Sequence, residues 1–510
     1  MMKHLIQPLF CITAVVLTAI PGRAQNAHSL AFNDFAPQHL EFRIAHQPQH
    51  GYFAFPALGN ASFALSNSMI HPAQWLSQTG NDPLATIVVD EVFSSWDDPN
   101  RLAASVQLDW LQFGRFFNEK SSFVHGGIRE FAHFSLTLPT DLLKFPLTGN
   151  ANFDLMNDAG LDLSDLELHA EHRRSYYLGW QKRWNDRLSS GIRLSFIQGI
   201  RNVNATVQNL NWSTDVDTWD WDLTGQASGQ SSGMWPVVQL IDSDGLSDAD
   251  VLRLQEEMIA GLGRGVGMDF GLEYAWSSKW MTFLQVNDLG RIKWEEDVLN
   301  YTTQSTSFVF TGFSLNEEDN WTIDGAEDSL VVWSESVSDD LENQAEFIEN
   351  GKAYSTYLGS RWSVGAEYAP FPNAKWSPSL GVLLVKKNQL PISWRVSWNQ
   401  EWGSGMKTSL TLGERDGLGT SAGVSIAVNA GPLVLSLAAD SHRMLNWTEF
   451  AMDNTNGDGS DYYFPTYSPT IQLQAGVVFR FGWRSKDERK KSNTKCETFD
   501  VPSSTSKPSF

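Results

Sequence analysis

The chain has almost no cysteine: Cys11 and Cys496 are the only two in 510 residues. Cys11 lies in an N-terminal leader expected to be removed, so the mature chain holds one thiol and a disulfide scaffold is excluded. Long hydrophobic runs are missing too. After the leader, no segment offers the roughly 18 or more consecutive apolar residues that a membrane-spanning helix requires. Basic residues are also scarce, with 37 Lys and Arg against 59 Asp and Glu for a formal net charge of −22. A sequence-independent grip on nucleic acid needs cations against phosphates, so no nucleic-acid partner is expected. Between Arg201 and Arg253 there is no Lys or Arg but eight Asp, and between Lys293 and Lys352 none against fifteen acids. By contrast, Arg484, Lys486, Arg489, Lys490, Lys491 and Lys495 crowd the C-terminal tail.

At the N-terminus, Lys3 and His4 precede a mainly apolar run from Leu5 to Ile20, followed by Pro21-Gly22-Arg23-Ala24. A basic start, a short apolar core and small residues before Gln25 describe a secretory signal peptide over residues 1–24, with a retained anchor as the alternative. The mature chain is rich in aromatics, with 21 Trp and 30 Phe in the full sequence. Trp is a residue that settles at membrane interfaces. Mean hydropathy is mildly negative at −0.28. That value excludes a helical membrane protein but not a barrel, whose strands need apolar residues only at alternate positions.

Alternation is clearest near the C-terminus. Ile471, Leu473, Ala475, Val477, Phe479 and Phe481 alternate with Gln472, Gln474, Gly476, Val478 and Arg480. A strand has period two, so one face is apolar and the other mostly polar, as between lipid and a lumen. Ile392, Trp394, Val396 and Trp398 oppose Ser393, Arg395, Ser397 and Asn399 in the same way. Short turn sequences at 118–121, 185–187, 277–279, 372–374, 403–405 and 429–432 alternate with longer connections near 70–101, 139–164, 209–263, 314–354 and 442–468. This one-sided rhythm predicts an all-β fold: a single transmembrane antiparallel β-barrel of about fourteen strands with long extracellular loops.

The expected organisation is a signal peptide at 1–24, a plug-like or periplasmic segment at 25–49, the barrel at 50–483 and a basic periplasmic tail at 484–510. An even strand count returns both termini to the periplasm of an outer-membrane protein. The stretch 279–313 exceeds what a bilayer needs and must project or break. Ser247 to Leu262 reads as an amphipathic helix, and a second helix is expected within 327–348. A secreted soluble β-protein, with one buried and one solvated sheet face, is the competing architecture.

Several stretches carry a resemblance. These are Gly51-Tyr52-Phe53-Ala54-Phe55-Pro56 with Ser66-Asn67-Ser68, Leu138-Pro139-Thr140-Asp141-Leu142-Leu143 with Gly149-Asn150, Gly267-Met268-Asp269-Phe270-Gly271-Leu272-Glu273-Tyr274, and Asp288-Leu289-Gly290-Arg291-Ile292-Lys293-Trp294. In that order they resemble an uncharacterised family of Bacteroidota outer-membrane β-barrels, itself similar to fatty-acid-transporter-type barrels and to the PorV-like proteins of type IX secretion. The resemblance implies a barrel and an outer-membrane address, and it brings no substrate. Such proteins often carry Asn-Pro-Ala near the mature N-terminus, where this chain has Asn33-Asp34-Phe35-Ala36-Pro37.

Candidate sites are few. Asp288-Leu289-Gly290 interrupts the alternation of a long strand, which suits a bulge. Asp288 and Gly290 therefore mark a strand kink or, as fatty-acid-transporter-type barrels imply, a gate. His125, Arg129 and His133 share one face of the strand 122–138 and are lumen candidates. Asn454, Asn456 and Asp458 follow the opening spacing of a calcium loop, but Pro465 stands where a bidentate Glu belongs. Ordinary turn composition is the readier explanation of them. No cofactor is otherwise expected, and no arrangement points to an enzyme. Two functional readings stay open: passive uptake of a small or apolar solute through a barrel bathed in outer-membrane lipid, and a structural or secretion-accessory barrel whose acidic loops bind a partner protein.

Overall fold

A computed structural model of the chain describes residues 27–54, 56, 58–68, 100–117, 121–140, 142, 161–214, 221–234, 248–303, 306–310, 347–372, 374, 376–387, 390–415, 419–442, 447–452, 460–465 and 470–481. Fourteen antiparallel strands close into one barrel. The first, β1, runs Gly51–Ala54 and resumes at Ala61–Asn67, both pieces lying between the second and last strands. It is followed by β2 (Asn100–Phe117), β3 (Ser122–Leu138), β4 (Glu167–Arg183), β5 (Leu188–Thr214), β6 (Gly263–Ala275) and β7 (Trp280–Trp294). The other half comprises β8 (Tyr354–Tyr357 and Arg361–Tyr368), β9 (Trp376–Lys387), β10 (Ser393–Trp402), β11 (Met406–Glu414), β12 (Thr420–Ala430), β13 (Leu433–His442) and β14 (Thr470–Phe481).

Period two decides which way each side chain faces. On β14, Gln472 and Gln474 are buried inside while Leu473 is half exposed on the outside. The same split recurs on β10, where Arg395, Ser397 and Asn399 are inside and Trp394, Val396 and Trp398 outside. An apolar exterior over a polar interior is the reverse of a soluble protein and suits a wall that faces hydrocarbon. Exposed Trp184, Trp276, Trp280, Trp376 and Trp402 gather beside the short turns. Two pairs meet across neighbouring strands, Trp280 tilted against Tyr368 at 4.6 Å and Trp376 edge-on to Trp402 at 5.0 Å between ring centroids. They form an aromatic girdle at that end of the barrel.

The structure decides one expectation and corrects two. The stretch 279–313 breaks, as its length requires: β7 ends at Trp294, and Asp297 adopts a left-handed φ of 48° that turns the chain. Val298–Thr303 and Thr306–Phe310 then pair with Trp221–Ser232. That strand, expected as part of a long loop, in turn extends the distal half of β5. At 27 residues β5 far outruns the roughly 9–11 that cross a bilayer, so these polar pieces stand beyond it. Finally, Phe347 and Ile348 belong to a strand, Phe347–Asn350, and not to a helix. The rest of that expected helix lies outside the described residues. The other helix is present as α1, Asp248–Ala260. A closed barrel of this kind is expected to migrate faster in SDS gels before boiling than after, and equal mobility would count against closure.

Candidate functional site

Residues 27–50 lie inside the barrel. Two short 3-10 turns, His28–Leu30 and Pro37–Glu41, fold them back, the second opened by a proline whose missing N–H costs nothing at a first turn. So short a segment cannot satisfy its own backbone, and the wall supplies the missing partners. Gln474 accepts from the Ala27 N–H at 2.8 Å, Asp440 from that of His28 at 2.7 Å, and Gln285 from that of Ile44. Apolar side chains fill the gaps between these bonds. Phe32 and Phe42 pack with Phe283 and Leu383, and Leu40 packs with Tyr52, Phe123, Val434 and Val478. The wall gives way where contact is closest: a Cβ on Gly191 would sit 2.3 Å from the Ile44 carbonyl oxygen.

Charge fixes the segment more strongly than packing. Glu41 accepts from Arg129 at 2.8 Å and from Arg193 at 2.6 Å, and its backbone carbonyl accepts from Arg361 at 2.7 Å. Each of the first two arginines also holds a wall carboxylate, Asp109 for Arg129 and Asp269 for Arg193. Nearer the short turns, Arg43 bridges Glu273 at 3.0 Å and Glu367 at 2.9 Å. There His46 lies 2.8 Å from Glu273 and 3.8 Å from Asp34, and Asp34 is also bound by Lys407 at 2.6 Å.

These neighbours set the protonation of the segment. Burial alone pushes the Glu41 carboxyl up, but Arg129 and Arg193 outweigh it and hold the group well below its ordinary 4.5. For His46, burial pulls down and Glu273 and Asp34 together more than compensate, so the ring is raised above 6.5. His39 has no such rescue. Burial, with His46 nearby, lowers it to about 3, and its Nδ1 meets the Ala36 carbonyl as a neutral ring.

The segment separates two cavities. The one toward the short turns, about 540 Å³, is bordered by Asp34, Arg43, His46, Arg187 and Trp280. The other, about 330 Å³, lies toward the long connections over Glu41, and its walls are charged: Arg129, Arg173, Arg193, Glu171, Asp269 and Asp288. Arg129 and His133 border this second cavity. His125 shares their face but is packed deeper, between Phe123 and Tyr177 at 6.2 and 6.3 Å. His169 comes within 5.3 Å of His133, whereas His172 points the other way and meets Glu130 at 2.6 Å.

Asp288 and Gly290 lie at a defect in the wall. Between Val286 and Leu289 the register to β6 slips, so Asn287 and Asp288 together oppose Asp269, and Asp288 takes a φ of 58°. This is a bulge. On the other side, the pairing of β7 with β8 stops at Asn287–Arg361 and resumes at Arg291–Tyr357. Across that gap the backbone hydrogen bond is Leu358 N–H to Gly290 O at 3.1 Å. Asp288, Leu358 and Gly359 all border the charged cavity. Asn454, Asn456 and Asp458 lie outside the described residues, as do most of the acidic stretches 215–220, 235–247 and 311–346.

Sequence reasoning missed Glu41, Arg193, Asp269 and Glu273. The signal was there: Arg193, Asp269 and Glu273 are charges inside strands of otherwise apolar alternation, all at lumen parity. What a strand pattern does not supply is the partner, since Glu41 and Arg193 are 152 positions apart.

Together these features define a membrane-spanning β-barrel of fourteen strands whose lumen is occupied by its own N-terminal segment. Residues 45–440 match the family of unknown function DUF5723, and the chain belongs to that family. No curated protein matches it. Among solved structures it is similar to the toluene transporter TbuX of Ralstonia pickettii, at 8% identity over 88% of this chain and 94% of that one, TM-score 0.39. The toluene transporter TodX of P. putida matches at 7% identity over 86% and 92%, TM-score 0.38. A FadL homologue of Pseudomonas aeruginosa matches at 9% over 89% and 94%, TM-score 0.38.

The pKa directions predict how pH acts on the seated segment. Glu41 titrates below 4.5 when folded, so its contribution is present above about pH 4.5 and is lost as pH falls through the folded value. His46 titrates above 6.5, so its contribution is full below pH 6.5 and is lost as pH rises through the folded value. His39 runs oppositely: full above pH 6.5, falling toward 3. Amide exchange should therefore show His46→Gln loosening residues 27–50 more at pH 6 than at pH 9. Glu41→Gln should cost about 3–5 kcal/mol of local protection at pH 7, as loss of one partner from a buried ion pair does. An exchange profile indifferent to both substitutions would contradict this assignment.

Proposed function

We propose that the chain is an outer-membrane barrel for passive uptake of a small solute, with its termini in the periplasm, and that the solute leaves sideways at Asp288–Gly290. The observation that carries this reading is the meeting of cavity and defect. The charged cavity extends to Asp288, Leu358 and Gly359, where β7 and β8 lose their pairing. Straight passage is obstructed by residues 27–50, which hold both arginine clusters.

The two obstacles are mechanically joined. Asp269 accepts from Arg193, which also holds Glu41, and accepts the Asp288 N–H at 2.7 Å. A shift of Glu41 is thereby felt at the bulge. A sideways exit leads into hydrocarbon, which favours a solute with an apolar body, because an unpaired polar group there costs several kcal/mol. The charged cavity would hold that solute by a polar group or through water.

The test is to pin the break. A Cβ on Gly290 would sit 2.0 Å from the Val266 carbonyl oxygen, so the bridge is placed one step away: the register on both flanks sets Asp288 opposite Ser360, and Asp288→Cys with Ser360→Cys, in a Cys496→Ser background, can be joined by oxidation. In liposomes the reduced protein should take up small apolar probes faster than polar ones of equal size. Oxidation should cut that uptake about fivefold or more. Equal rates before and after oxidation would sink the lateral route, and no uptake of any probe would sink the transport reading.

A further inference from the structure

Outside the barrel, charge stands where lipid would be. Arg264 on β6 faces Lys293 on β7, two register positions from Arg291 opposite Val266. All three cations are on the lipid side and exposed. Like charges directly opposite across a strand pair repel. Lys293 is bound by Glu295 at 2.6 Å, one carboxylate among three cations.

Directly below them the surface becomes apolar and concave. Val266, two residues along from Arg264, borders a groove of about 560 Å³ with Phe113, Ile128, Leu178, Leu194 and Phe196. Leu178, Leu194, Phe196 and Val266 are each more than half exposed. The arrangement has two parts with matching order: an apolar trough in the hydrocarbon zone, and a cationic trio at its polar end.

We infer that this face binds a phosphorylated membrane lipid, with an acyl chain in the groove and its phosphate on Arg264, Arg291 and Lys293. The phosphate supplies the anion that the paired cations call for, and guanidinium groups match its oxygens two at a time. The chain removes the groove's apolar side chains from contact with disordered tails. This assignment rests only on the barrel standing in a membrane. It needs no solute to pass, so the oxidised cysteine pair and the lipid measurement fail independently.

Native mass spectrometry of the purified full chain, titrated with phosphatidic acid and with phosphatidylcholine of identical chains, tests it. Phosphatidic acid should be retained at least about tenfold better, since each basic residue near a lipid surface adds to the attraction. The combined Arg264→Gln, Arg291→Gln and Lys293→Gln variant should fall to the phosphatidylcholine level. Val266→Trp, which fills the groove, should lower retention of both lipids, and gel mobility before boiling checks that each variant is folded. Equal retention of the two lipids by the unaltered protein would overturn the inference, as would a triple variant that keeps its preference. Inorganic phosphate displacing the lipid at equal concentration would also overturn it, by making the site one for a free anion.

Discussion

The interior of this barrel depends on one buried carboxylate shared by two guanidinium groups. Glu41 sits between Arg129 and Arg193, and each arginine leans back on a carboxylate of the neighbouring strand. None of these charges is tolerable alone in so dry a place. Removing any one strands the others, which is why such clusters hold geometry more firmly than they add net stability. The N-terminal segment is therefore part of the charge network of the wall, which without it would lose the acceptor shared by Arg129 and Arg193 and the guanidinium between Glu273 and Glu367.

That balance reaches the defect. Asp269, the outermost member of the chain Glu41–Arg193–Asp269, also caps the bulged Asp288 through its backbone N–H. The bulge uses up one ladder position on the β6 side, and the gap across from residues 358–360 follows on the other. A hydrogen-bonded wall has few places where it can change without breaking several bonds together. Here one such place is built in and wired to the segment that fills the lumen.

Much of the wall was legible before any coordinates, because alternation needs only period two. The faces of β14 and β10 follow from their residues, and so do the turn positions at 185–187 and 403–405. Asp288 and Gly290 were visible as an interruption, and His125, Arg129 and His133 as one face. The break between β7 and β8 was not visible, since a gap in pairing belongs to two strands and the pattern of either one alone is silent about it. The extension formed by Trp221–Ser232 and Val298–Thr303 was hidden for a related reason: polar strands standing beyond the bilayer have no apolar face to betray them.

By itself the sequence determined an all-β chain, its number of wall strands, which side of each strand is wet, and the position of a kink. Those properties are local, fixed by alternation and turn chemistry within about ten residues. Tertiary structure alone decided that residues 27–50 lie inside the barrel, that Glu41 joins Arg129 and Arg193, and that the kink opens on a charged cavity. A polar segment carries no mark of which surface it will meet. Its place is set by charges 88 or more positions away, which become neighbours only when the sheet closes.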